Sequence, residues 1–153
     1  MTVESRLQAL NIVLPTPPAP VASYVPYVVS GKNVYISGQV TLASDGLKYV
    51  GIIGKELSIE DGKAAARLCA LNVIAQARAA CGGDLERVKR IVKVTVFVNA
   101  VPGFTQHPEV ANGASDLFVE VFGDPGRHAR AAVGAGSLPR NVATEVEAIL
   151  EIA

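Results

Sequence analysis

With 153 residues the chain has room for one domain rather than two, and a globule of that size buries roughly 70% of its unfolded surface. Half of the residues are apolar and only 18% are charged, below the usual quarter, which points to surface covered by another copy of the chain. Fourteen basic residues balance fourteen acidic ones, tryptophan is absent and aromatics make up 5%, so neither the cationic footprint nor the stacking platform of a nucleic-acid binder is present.

Val3, Leu7 and Leu10 recur at helical spacing, which predicts a short helix over residues 2–9, ended by the proline-rich run that follows. Residues 1–22 read as an arm of a single domain, 1–153, with the prolines spanning extended ground without packing. No charge falls between Arg6 and Lys32, but Pro15, Pro17, Pro18, Pro20 and Pro26 are incompatible with a membrane-spanning helix there. The opening residues lack the basic-then-apolar order of a secretion signal, so a cytoplasmic protein with no membrane partner is expected.

Val25–Ser30 and Asn33–Val40 are apolar, β-branched runs around Gly31-Lys32, the pattern of a hairpin. The second run ends in Ser37-Gly38-Gln39, where the missing Cβ offers either a close approach for a ligand or a bulge before the next turn. Asp45-Gly46 marks a further short β-excursion between Thr41 and Val50. Ser58 with Asp61 forms a capping box opening a long helix that Gly82-Gly83 stops. Its stripe of Ala66, Ala70, Val73, Ala77 and Ala80 suits close packing on a sheet. Cys69 and Cys81 lie in this helix twelve residues apart, about 18 Å by helical rise, so both are expected as free, buried thiols.

Val88–Asn99 predicts an interior strand, and His107-Pro108 opens a helix running to Phe122. From about Ala129 to Ser137, and again after Asn141 to Ile152, come two extended runs, read as a hairpin turning at Leu138-Pro139-Arg140-Asn141. Its second strand sets Val146, Ala148, Leu150 and Ile152 on one face and Glu145, Glu147 and Glu151 on the other. Arg130 is followed by small residues, leaving space for a carboxylate ligand on its guanidinium; the alternative is a strand-end arginine paired with one of the chain's own glutamates. His128, two residues away, is either an acid or base near that site or a solvated strand-end side chain, and no further His or Cys stands at metal-ligand spacing.

These residues carry a resemblance. Arg130 with the small residues after it, Leu138-Pro139 and Glu145-Val146-Glu147-Ala148 resemble the C-terminal signature of the Rid (reactive intermediate deaminase, YjgF-like) family. Val34–Gln39 and Val92–Val98 are similar to its core strands, and Val110–Leu117 with Gly126–Arg130 to a longer-chained branch of it. The resemblance implies an α+β, chorismate-mutase-like fold: a mixed sheet of about six strands with two helices on one face, assembled as a homotrimer with clefts between subunits. It implies hydrolysis of small imine or enamine acids to 2-oxo acids and ammonia without a cofactor. Arg130 would clamp the carboxylate, Glu145 would orient or deprotonate water, and Tyr24, Ser37, Gly38 and Ser115 would line the pocket. The chain departs from the pattern at Ala132, where the family has a pocket cysteine, and at Ser115, read as replacing a pocket asparagine.

A symmetric hairpin would put Arg130 opposite Leu150, roughly 16 Å from Glu145 along the strand, so a site using both needs a second subunit. A non-catalytic trimer that binds small carboxylates and signals metabolic state also has a use for Arg130, but only hydrolysis needs Glu145. Ribonuclease activity, for which some members of the family are named, fits the neutral charge poorly.

Overall fold

Strand alternation and the alanine stripe produce a sheet with its apolar face under two long helices. The computed structural model describes residues 1–17 and 22–153, so Pro18 and Pro20 of the proline run lie outside the described residues. In chain order the elements are α1 (Val3–Ala9), β1 (Tyr27–Ser30), β2 (Asn33–Gln39), β3 (Leu42–Ala43), β4 (Gly46–Leu47), α2 (Ile59–Ala80), β5 (Val88–Asn99), α3 (His107–Phe122), β6 (Ala129–Ala135) and β7 (Thr144–Ile152). The main sheet has five strands in the order β1-β2-β7-β5-β6, and β3 and β4 form a separate two-stranded ribbon, in place of about six strands in one sheet. Among the described residues no helix is long and apolar enough to cross a membrane.

The local expectations hold where a cap or a turn decides them. Ser58 and Asp61 make both hydrogen bonds of the capping box, and Gly31 turns the β1–β2 hairpin at φ 61°. Cys69 and Cys81 are free and buried. The N-terminal segment, in contrast, is packed: Val3, Leu7 and Leu14 are buried, and Arg78 pairs with Glu4 at 3.2 Å.

The C-terminal hairpin does not form. β6 pairs in parallel with β5, which follows from the α3 crossover between them, and β7 lies antiparallel between β2 and β5. The turn chemistry is real, with Arg140 at φ 54° and Asn141 at φ 59°, but the segment pairs with the loop before α2. Val142 bridges Val50, Gly51 N–H donates to the Asn141 carbonyl and Ala143 N–H to that of Tyr49, carrying the chain past β5. The physical reason is burial. Val146, Ala148, Leu150 and Ile152 need neighbours on both sides, whereas the small residues of β6 have little to bury and take the edge. Truncating Leu150 to alanine would cost about 2–5 kcal/mol.

Helices α2 and α3 cross at two glycines. A Cβ on Gly113 would collide with the Lys63 carbonyl, and one on Gly62 would sit 2.6 Å from Ile53 Cδ1 and 3.2 Å from Val110. Their sheet-facing sides cover Val94, Val96, Val98, Val146 and Leu150, all fully buried. The opposite face stays open and carries Tyr35, Thr95, Phe97, Val133 and the three β7 glutamates.

Candidate functional site

Register decides which side each predicted residue takes. Arg130 is the partner of Val94, which faces the helices, so its side chain lies on the helix side at the β6 edge. There Nη1 donates to Asn112 Oδ1 at 2.8 Å and to Ser115 Oγ at 3.2 Å, both on α3. No acidic side chain pairs with Arg130 among the described residues, so the reading as an internal ion pair is overturned. A hollow of about 250 Å³ adjoins the guanidinium, lined by Ser115, Asp116, Val119, Arg127, His128 and Arg130.

Beside Ser115 the structure adds a residue that the sequence reading does not name: Asn112 stands one helical turn earlier on the same face and contacts the arginine directly. The signal was the spacing of three on a helix, which puts two side chains on one side. His128 is not solvated: it is half-buried, Nε2 lies 2.8 Å from Ser115 Oγ and Nδ1 2.7 Å from the Gly126 carbonyl. Burial, with Arg130 nearby, moves its pKa below the ordinary histidine value against the pull of that carbonyl.

Glu145 belongs to the other face. Its partner across the ladder is Phe97, and its carboxylate lies over Gly38, occupying the place a Cβ would need. The bulge reading of Ser37-Gly38-Gln39 is met, because the register slips between Ile36 and Gln39, and the close approach that the missing Cβ allows is made by the chain's own Glu145. Burial first, then the charge of Glu147, raises the Glu145 pKa above the usual carboxylate range. Ser37 donates its hydroxyl to the Pro26 carbonyl at 3.1 Å, which ties β2 to the loop carrying the exposed Tyr24.

Through Val94, Arg130 lies in register with Ala148 rather than Leu150, three positions from Glu145 and two strands across. That is roughly 14 Å, with the two side chains on opposite faces of the sheet. One chain therefore brings together Arg130, Ser115, Asn112 and His128 at one edge, and Glu145, Gly38 and Ser37 at another place. Among the described residues no three His, Cys, Asp or Glu side chains gather as metal ligands. A hollow of about 530 Å³ at the far end of β6, beside His107 and Gly134–Gly136, includes none of the predicted site residues.

Residues 4–152 match the family described as "YjgF/chorismate mutase-like, putative endoribonuclease". The chain belongs to the YjgF (Rid) family. Its likeness to Protein TCP17 of Trypanosoma cruzi is 50% identity over 151 residues, 98% of this chain and 94% of that one. The crystal structure of Atu1372 from Agrobacterium tumefaciens, a protein of unknown function, is similar at 44% identity and a TM-score of 0.93, covering 99% of this chain and 92% of that one. RidA of the Antarctic bacterium Psychrobacter sp. PAMC 21119 is 32% identical with a TM-score of 0.62, covering 90% and 94%.

Proposed function

We propose that this protein hydrolyses small reactive imine or enamine acids to 2-oxo acids and ammonia, in clefts between the subunits of a homotrimer. The observation that carries the reading is the pair of uncompensated charges: Arg130 held by neutral partners beside a hollow, and Glu145 half-buried with no cation on it among the described residues. On one chain they face opposite ways, so a second copy would bring its Glu145, with Gly38, Ser37 and Tyr24, to the first copy's Arg130 edge. Membership of a family that includes RidA supports the same chemistry.

In this reading Arg130 holds the substrate carboxylate with two parallel hydrogen bonds. Glu145, its pKa raised toward that of a working base, takes a proton from water as the oxygen bonds to the imine carbon and the C=N electron pair passes to nitrogen. Glu145 returns that proton to nitrogen to give the neutral carbinolamine, then carries the hydroxyl proton to nitrogen as C=O forms and the C–N bond breaks, so that nitrogen leaves with both protons as ammonia; an enamine enters as its imine tautomer. An imine carbon is electrophilic by itself, so position, water and a proton acceptor suffice. A second reading, a non-catalytic trimer that binds small carboxylates, is favoured by Ala132, where the resemblance places a pocket cysteine.

The test is ammonia release from freshly generated imines of several amino acids, comparing wild type with Arg130→Ala and Glu145→Gln. Turnover lost in both variants, with 2-oxo acid binding kept in Glu145→Gln, supports the enzyme. No turnover by any form across the panel, with binding dependent on Arg130, turns the assignment to the binder.

A further inference from the structure

The direction of the Arg130 guanidinium is set by a chain of hydrogen bonds that begins at a backbone carbonyl. The Gly126 carbonyl can only accept, so the imidazole proton of neutral His128 sits on Nδ1, at 2.7 Å, and Nε2 is an acceptor. Ser115 Oγ, 2.8 Å from Nε2, must therefore donate its hydroxyl proton to the ring and offer its lone pairs to Arg130 Nη1 at 3.2 Å. Asn112 Oδ1 takes the other Nη1 proton at 2.8 Å. The start of the chain is anchored as well. Gly126 N–H donates to the Gly123 carbonyl at 2.8 Å, Gly126 packs against the Phe118 backbone, and the His128 ring stands edge-on to Phe118 with centroids 5.6 Å apart.

We propose that Ser115 and His128 are positioning residues for Arg130: with Asn112 they use up both protons of Nη1, so the Nε–Nη2 edge of the guanidinium is the one that receives the substrate carboxylate. This rests on the carboxylate-clamp reading above. A side-on approach presents two N–H groups in parallel, the arrangement that matches a carboxylate's two oxygens. The chain works only while His128 is neutral, because a protonated ring would donate to Ser115 Oγ and set a cation beside the guanidinium. The charged groups that share a hollow with the ring are Arg130, Arg127 and Asp116 in the one described above, and Arg90, Arg127 and Glu151 in a further hollow of about 550 Å³ that His128 also lines.

Two measurements test this. Nitrogen NMR of the imidazole should show His128 neutral with its proton on Nδ1 at pH 7, and the Arg130 Nε–H should exchange faster with water in Ser115→Ala than in wild type. In kinetics with carboxylate-bearing imines, Ser115→Ala should raise KM by about tenfold and leave kcat within about twofold. His128→Phe, which keeps the ring volume and removes the acceptor, should do the same, and Ser115→Thr should restore most of the loss. A proton on Nε2, or an Arg130 exchange rate and KM unmoved by Ser115→Ala, overturns the proposal. If Arg130→Ala does not change ammonia release, the deaminase reading is what fails, and the NMR measurements still decide whether Ser115 and His128 hold the guanidinium.

Discussion

Glu145 lies across Gly38 on the open face of the sheet, its carboxylate filling the space that a Cβ on residue 38 would occupy. Gly38 has no positive φ, so an alanine there strains no backbone and meets only the tip of a flexible side chain. Gly38→Ala is expected to cost no more than about 1 kcal/mol of stability while displacing the carboxylate and lowering turnover by about tenfold or more. Denaturation and steady-state kinetics on the same preparation separate the two; a stable variant with wild-type turnover would detach Glu145's position from catalysis.

The raised pKa of Glu145 gives a stability signature with a definite sign. A carboxyl whose pKa rises above its ordinary 4.5 on folding contributes stability below that value and loses it as pH climbs through the raised one. At pH 7 the ionised group therefore weighs against the fold. Glu145→Gln should raise Tm by about 1–3 °C at pH 7 and by less at pH 4, while abolishing turnover. Thermal melts at the two pH values check this, and an equal gain at both would contradict the burial of the carboxylate as its cause.

Because Arg130 and Glu145 face opposite sides of one sheet, their cooperation requires two chains. Arg130→Ala and Glu145→Gln should each be inactive alone, yet unfolding and refolding them together in equal amounts should restore about a quarter of the wild-type sites, since random assembly joins an intact arginine to an intact glutamate at that frequency. Activity that stays at background in an assembly shown to be mixed would place both groups in separate roles.

Burial lifts the Cys69 thiol from an ordinary value of 9.0 to about 12, and the thiol also contacts Thr144 at 3.3 Å. Cys69 should resist alkylation at pH 8 in the native protein and react only on unfolding. Mass-spectrometric mapping of labelled cysteines at increasing denaturant shows whether its modification follows the global transition.

The parts of this fold that depend on neighbours in sequence were legible from it. The α2 cap needs only Ser58 and Asp61, and the β1–β2 turn only Gly31-Lys32. Pairing of β6 and β7 was not, because strand partners are chosen by what each strand can bury, and the apolar row of β7 needs a strand along each edge while the small residues of β6 do not. That one decision also hid Asn112: only the parallel pairing with β5 turns Arg130 toward α3. Arg130 stood out by the small residues after it and Glu145 by family likeness, but the side of the sheet each occupies became visible only with the register.

Gly113 gives the arginine a dependence on the packing between α2 and α3. It is the residue next to Asn112, and it lets α3 settle onto the carbonyl of Lys63. Any larger side chain there would wedge the two helices apart and carry the arginine's anchors outward with α3. The aim of the guanidinium is thus inherited from the width of an interhelical seam, and a change that touches neither the arginine nor its hydrogen-bond partners would still loosen its hold.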